Sequence, residues 1–273
     1  MRLIVRLGDS YGAEKLVEIV SAHTVLNFGL NFVNSAAEVL HQMADSGLKV
    51  KVRTTADPII DMDYAEDLKS IYPIFTLHDQ MIRDLKSIGV KGFTCTPYFL
   101  DNEPKFGQHC AWAESSAVIY LNSILGARSN REGGLVDLAC AITGKTSYHG
   151  LHIAGNRKGQ ILFKISPEID ISDLFNLTSI GLRIGEIAGN KIPVIEGLKN
   201  VSEDNLKNLG AASAATGAVA LIHVVGITPE AKNINSAFQN DKPDDIIEID
   251  LKDLKEVRER YNTEMHSLPS PNR

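Results

Sequence analysis

Apolar positions along the chain recur in two alternating rhythms, one of helices and one of short strands. From Leu30 to Asp45, residues Phe32, Ala36, Val39, Leu40 and Met43 share one helical face, and Ser46-Gly47 closes it. Tyr11 to Val20 reads as a helix passing into a strand. Lys49 to Thr54 alternates Val with basic residues and predicts a half-buried strand. His78 to Ile88 predicts an amphipathic helix ended by Gly89, with a strand-like run over Val90 to Thr94. Ala113 to Leu125 predicts a helix of small residues, and Leu135 to Thr143 another closed by Gly144. A strand follows at Gln160 to Ile165. Ser202 is placed as the N-cap of SEDNLKNLG, with acids in the first turn and a Gly stop. Ala211 to Gly217 reads as helix, Val219 to Val225 as a buried strand, and Thr228-Pro229 as a helix start. Ile246 to Ile249 is a strand and Leu251 to Tyr261 a charged helix. Such alternation predicts an α/β fold, its mostly parallel sheet covered on both faces.

Composition narrows the picture. A chain of 273 residues with 44% hydrophobic and 23% charged residues is globular, long enough for one large α/β domain or two smaller ones. The formal charge of -6 and the lack of a basic stripe argue against a nucleic-acid partner. No apolar run approaches the roughly 20 residues that cross a bilayer. The longest, AASAATGAVALIHVV, is Ala-rich and carries His223, so no membrane association is expected. Arg6 and Asp9 interrupt any signal-peptide core. Three cysteines, an odd and small number, then point to a reducing cytoplasm.

Candidate chemistry concentrates between Gly92 and Gly134. Thr94, Cys95, Thr96 and Tyr98 follow a strand-like run. Gln108, His109, Glu114, Ser115 and Ser116 precede or open the small-residue helix. Arg128, Ser129, Asn130, Arg131 and Glu132 lie in a loop ended by Gly133-Gly134. Loops after strand carboxyl ends form the ligand crevice of a parallel sheet. Arginines, amides and hydroxyls there suit a carboxylate or phosphate. Cys95 reads either as a buried inert thiol or as a ligand or nucleophile. Cys110 and Cys140 sit in apolar patterns, and no CxxC is present. His23 at a strand end is either a structural histidine or a general acid or base. Thr54-Thr55 ends another strand, and His149 and His152 have only loose metal-ligand spacing. Dinucleotide, P-loop and GxSxG fingerprints are absent from the sequence.

The runs TCTPY, FGQHCAWAESSAV, NSILGARSNREGG and TGKT…GLH, with VKVRTTADP and LGAASAATGAVALIHVVGITPEA outside them, resemble the aconitase X family. The resemblance covers about residues 3–260. It implies an aconitase-like three-layer α/β/α fold with mostly parallel sheets. Residues 1–262 would form the catalytic-type region, as two subdomains of about 1–150 and 151–262, and 263–273 a disordered tail. It further implies a hydro-lyase whose iron–sulfur cluster acts on a small hydroxy acid, with a separate small swivelling subunit as partner. Mevalonate 5-phosphate is the favoured substrate, and cis-3-hydroxy-L-proline the alternative. Carried over by position, Cys95 is the metal ligand. His23, Glu114, Ser115 and Glu132 are catalytic. Thr54, Thr55, Thr96, Ser116, Arg128, Asn130 and Arg131 bind substrate. The family's other cluster cysteines find no match, which implies a C-terminally truncated chain. A non-catalytic relative that binds a small acid or serves as a structural subunit is therefore a further expectation. Gln108 stands where the family has Glu, and TVLNFGLNFV departs from the usual loop.

Overall fold

The computed structural model describes residues 1–25, 33–59 and 74–267, with backbone alone at 33, 74–76 and 263–267. Contacts divide the chain into two compact units, Met1–Leu121 with Ala127–Asn156, and Asn122–Gly126 with Arg157–Arg273.

The first unit begins with α1 (Arg2–Ser10) and β1 (Leu16–Glu18), then β2 (Ser21–Thr24), α2 (Val33–Asp45), β3 (Arg53–Ala56) and α3 (Ile74–Ser87). After a 3-10 turn at Pro97–Phe99 come β4 (Cys110–Trp112), α4 (Ser115–Tyr120), α5 (Gly134–Thr143) and β5 (Lys145–Ser147). β3, β2 and β4 form a parallel sheet in that order, and β1 pairs antiparallel with β5. One apolar cluster joins Leu40, Met81, Leu85, Ile88, Val90 and Leu138. A second joins Ile4, Ile19, Ala22, Ala111, Cys140 and Ala141. α5 thus feeds both, its spacing placing Leu138 in one and Cys140 in the other. Gly144 ends α5 in the left-handed region at φ 71°, as the glycine stop predicts. At Gly134 a β-carbon would strike the carbonyl of Val25, so only glycine lets α5 start beside the end of β2.

The second unit carries β6 (Ile161–Ile165), α6 (Leu174–Ala188), β7 (Pro193–Glu196), α7 (Glu203–Thr216), β8 (His223–Val224), α8 (Ile234–Ala237), β9 (Asp245–Ile249) and α9 (Leu251–Ser267). Its strands lie in the order β8-β7-β6-β9, all parallel. Phe163 on β6 is fully buried. Asp173 caps α6 by accepting from the Phe175 N–H, and Ser202 caps α7 by accepting from the Asn205 N–H. Arg157 is buried, its Nε 3.0 and 2.9 Å from the Glu230 oxygens and its Nη1 donating to Asn122 Oδ1 at 3.1 Å. That pairing satisfies a guanidinium which would otherwise be costly inside the unit. Helices alternating with almost wholly parallel sheets make this an α/β chain, the class expected.

Several local expectations are corrected. The strand expected over Lys49–Thr54 forms at Arg53–Ala56, because Val50 and Lys51 give their N–H groups to Ile88 and Ala141 instead. Of the run Val90–Thr94, only Phe93 pairs, in a bridge to Ala56. The helix expected over Ala113–Leu125 splits into α4 and a π-helical turn, Leu121–Leu125. The residues expected as a strand over Val219–Val225 are mostly buried, but the strand is only His223–Val224; Ile222 just before it donates to Ser123 Oγ instead. Thr228-Pro229 opens a turn rather than a helix, since Thr228 Oγ1 accepts from the Val224 N–H. The glycine stop at Gly210 is passed without a break by α7, and α1 and α6 had no counterpart in the pattern. α9 runs to Ser267, into the segment expected as tail, and 268–273 lie outside the described residues, as does most of TVLNFGLNFV.

Candidate functional site

Parallel pairing carries five loops of the first unit to one edge. Ala56 bridges Phe93, β3 pairs β2, β2 pairs β4, and His109 at the start of β4 bridges Arg128, all in parallel. The chain therefore leaves this sheet on the same side at Thr94–Thr96, Asp57, Val25, Ala113–Ser116 and Ser129–Glu132. This is the edge at which parallel sheets bind ligands.

Cys95 is exposed at that edge. Its thiol is pushed up from the ordinary value by partial burial, and further by the carboxylates of Asp57 and Glu114. Those two charges therefore face the sulfur. Beside it, the Thr94 and Thr96 hydroxyls lie 2.9 Å apart, and Thr94 Oγ1 also accepts from the Thr96 N–H. Glu114 is the N-cap of α4. Its carboxylate accepts from the N–H groups of Ser116 and Ala117 and from Ser116 Oγ, at 3.1, 2.6 and 2.7 Å. Ser115, the first helical residue, is half-buried.

His23 is fully buried on β2. Asn102 Nδ2 donates to Thr55 Oγ1 at 3.0 Å, Thr55 Oγ1 lies 2.9 Å from His23 Nδ1, and His23 Nε2 lies 3.3 Å from Asp57 Oδ1. Both imidazole nitrogens thus face protein atoms, and Asp57 is the group next along toward the edge. Thr54 is turned back to its own strand, donating to Val52 O. Trp112 packs edge-on against His23 and donates from Nε1 to Ser21 Oγ at 2.7 Å.

The 128–132 loop is built as a second histidine-containing cluster. Arg128 Nη1 donates to the carbonyl of His152 at 2.9 Å. Asn130 accepts from the Leu151 N–H and lies 3.2 Å from both Glu132 Oε1 and His149 Nε2. His149 Nε2 is 3.6 Å from Glu132, its Nδ1 is 3.0 Å from Ser147 Oγ, and its ring stacks on Tyr11 at 4.7 Å. Burial raises the Glu132 carboxyl from its ordinary value, with Asn130 and His149 opposing. Arg131 is exposed, and of the two arginines it is the one turned outward.

The residue-by-residue reading did not single out Asp57, Asn102, Tyr11 or Asp137. The signal for Asp57 lay in the run RTTADP, where a carboxylate directly follows a strand. Tyr11 and Asn102 reach their partners only through tertiary folding, which spacing does not reveal.

Residues 1–155 match the model of the aconitase X first domain, and residues 159–259 that of the aconitase X second domain. The chain belongs to the aconitase X family. It is 39% identical over 271 residues to a phosphomevalonate dehydratase large subunit of Thermococcus kodakarensis, covering 98% of this chain and 66% of that one. A cis-3-hydroxy-L-proline dehydratase of Pseudomonas aeruginosa is 32% identical, with 94% of this chain and 44% of that one covered. The crystal structure of a holo-form aconitase X from Thermococcus kodakaraensis superposes with a TM-score of 0.82 at 38% identity, covering 95% of this chain and 64% of that one. This aconitase X chain therefore spans just under two thirds of the length of the large subunit it matches.

The described residues do not by themselves fit an iron–sulfur cluster. Cys95 reaches the edge, whereas Cys110 is fully buried on β4 and Cys140 fully buried in the second apolar cluster. Burial pushes the Cys110 thiol up to about 12 and raises that of Cys140, the reverse of what a thiolate ligand needs. Among the described residues no three His, Cys, Asp or Glu side chains are placed to share a metal ion. None of the described helices is long and apolar enough to cross a membrane.

Proposed function

We propose that this chain is the large-subunit part of a hydro-lyase that removes water from mevalonate 5-phosphate. The observation that carries the reading is the gathering of Asp57, Cys95, Glu114 and the Asn130–Glu132 loop at one strand edge of an aconitase X first domain. Four phosphomevalonate dehydratase large subunits at 35 to 39% identity stand above two cis-3-hydroxy-L-proline dehydratases at 32%, with a fifth large subunit at 28%, and this balance supports the phosphorylated substrate. A separate small subunit is the proposed partner, since those relatives are named as large subunits. The cytoplasm is the proposed location, in keeping with three free cysteines.

Water elimination needs a base for the C–H proton and a proton for the departing hydroxyl. Arg131 is the outward cation for a carboxylate or phosphate, with the Thr96 and Ser115 hydroxyls near the same edge. Asp57, backed by His23, Thr55 and Asn102, is assigned as the base. Glu132, whose burial favours the neutral acid, is assigned as the proton donor. Ser116 holds Glu114, which in turn orders the first turn of α4. This chain's own thiols do not assemble an iron–sulfur group, since Cys95 alone is exposed and Cys110 and Cys140 are buried.

One observation favours a second reading. With a single thiol at the edge, the chain would act as a small-acid binding or structural subunit without its own chemistry. Anaerobic purification, with and without a candidate small subunit, separates the two. Stoichiometric iron and sulfide, with turnover of mevalonate 5-phosphate faster than of cis-3-hydroxy-L-proline, is the expected result. Substrate binding without iron or turnover under every reconstitution would establish the second reading instead.

A further inference from the structure

Parallel pairing of β2 with β3 sets His23 opposite Thr55, so the two side chains leave the same face of the sheet. Asn102 reaches them from the loop after the 3-10 turn, and all three residues are buried. Its Nδ2 donates to two atoms, the carbonyl of Ala22 and Thr55 Oγ1, both at 3.0 Å. A backbone carbonyl only accepts, so the Ala22 contact fixes which end of the amide is the nitrogen. Thr55 Oγ1 therefore accepts from Asn102 and has its one proton left to give. His23 Nδ1, 2.9 Å away, is the acceptor beside it. A neutral imidazole that accepts at Nδ1 carries its proton on Nε2. Nε2 lies 3.3 Å from Asp57 Oδ1, not aligned as a formed hydrogen bond, and neither atom has another partner. Trp112 stands edge-on to the ring, 6.0 Å between centroids. The opposite tautomer would set an imidazole lone pair against a carboxylate oxygen. It would also leave the Thr55 proton with no acceptor among the described residues. The Asn102 amide keeps this orientation at a cost, because its own Oδ1 is buried without a partner. An apolar side chain of similar size would fill the space without that orphan.

We infer that Asn102 is a positioning residue that sets the direction of this hydrogen-bond chain, holding His23 as the Nε2–H tautomer with its proton on the Asp57 side. An N–H there favours the ionised carboxylate, the form in which Asp57 serves as a base. That last step rests on the function proposed above, whereas the tautomer does not.

Nitrogen NMR of the full chain with labelled histidine, His23 assigned through its backbone, reads the tautomer without requiring activity. Wild type at neutral pH is expected to show a bare Nδ1 and a protonated Nε2. A proton on Nδ1 of His23 would overturn the proposal. Asn102→Asp sets an acceptor against Thr55 Oγ1, so the hydroxyl turns to it and Nδ1 is expected to take up a proton. Thr55→Ser, which keeps the hydroxyl, is expected to retain the wild-type pattern. A folded Asn102→Asp chain with an unchanged tautomer would show that Asn102 sets nothing. Should that variant not fold, Thr55→Val takes its place: a mixture of tautomers supports the chain of donors, and a pure Nε2–H form rejects it. With a small subunit and mevalonate 5-phosphate, Asn102→Asp is expected to lower kcat about a hundredfold with KM little changed. Full turnover in a variant whose tautomer has reversed would reject the link to Asp57. A chain that shows the tautomer and its reversal yet turns over no hydroxy acid keeps the positioning role and loses the hydro-lyase reading. An active wild type with its proton on Nδ1 does the opposite.

Discussion

The carboxyl groups of Glu132 and Asp137 are both raised by burial, and each contributes to how this molecule responds to pH. In an unfolded chain Asp137 titrates near its ordinary value of about 3.9. In the folded chain burial holds it well above that. Between the two values the folded state binds a proton that the unfolded state has released, so stability falls as pH rises through that window and is not regained above it. Asp137→Asn removes this term. Its stability is expected to change less than that of wild type between roughly pH 4 and neutrality, as read from urea midpoints at a series of pH values. Parallel curves for the two proteins would show that Asp137 titrates normally. Thiol chemistry gives a second test. Of the three cysteines, Cys95 alone is exposed, while Cys110 and Cys140 are sealed and their thiols raised by burial. A disulfide reagent at mildly alkaline pH should modify one thiol in the native protein, more slowly than a free cysteine because partial burial, and then Asp57 and Glu114, disfavour the thiolate, and three after unfolding. Modification of Cys110 in the native state would contradict the burial described. These properties were only half legible in the sequence. The bland nature of Cys110 and Cys140 followed from their apolar neighbours, but burial of Asp137 did not, because an acid in LVDLACAI reads equally well as a first-turn helix residue.

Helices and strands were legible where local chemistry and tertiary packing agree. The α5 boundary at Gly144 and the Ser202 cap of α7 needed no more than a left-handed glycine and a side-chain oxygen over a free N–H. Expectations failed where packing decides. α6 contains Gly181 and Gly185, which weaken a helical pattern in isolation. Here they are the contact with α7. A β-carbon at Gly181 would lie 2.6 Å from Leu209 O and 2.7 Å from Ala212 Cβ, and one at Gly185 would strike Thr216 Oγ1 and Ser213 O. Strand 53–56 was displaced from its expected start because the preceding residues bond to helix ends rather than to a strand. Gly185→Ala, favourable in an isolated helix, is therefore expected to destabilise this protein by about 1–3 kcal/mol through overpacking. Ser202→Ala is expected to cost about 1 kcal/mol through the lost cap. Thermal melts of both variants check the pair, and a stabilised Gly185→Ala would refute the close approach of α6 and α7.

Each of the two compact units has an apolar core of its own. The first holds the clusters around Leu40 and Met81 and around Ile4 and Ala22, and the second has Leu162, Val194 and Phe238 with the buried Phe163. Trp112, the one tryptophan of the chain, is fully buried in the first unit, so its fluorescence reports that unit alone, whereas circular dichroism reports helices of both. Phe163→Ala removes a full aromatic side chain from the second core, where a loss of about 3–5 kcal/mol is expected. If each core is its own cooperative body, the dichroism transition of Phe163→Ala should begin at lower denaturant while the Trp112 transition keeps its wild-type midpoint. Coincident transitions in the variant, both shifted down together, would mean that the chain unfolds as one body. In that case the edge bearing Asp57, Cys95 and Glu132 draws its rigidity from the second unit as well as from its own sheet. Substitutions far from that edge would then be expected to weaken ligand binding there.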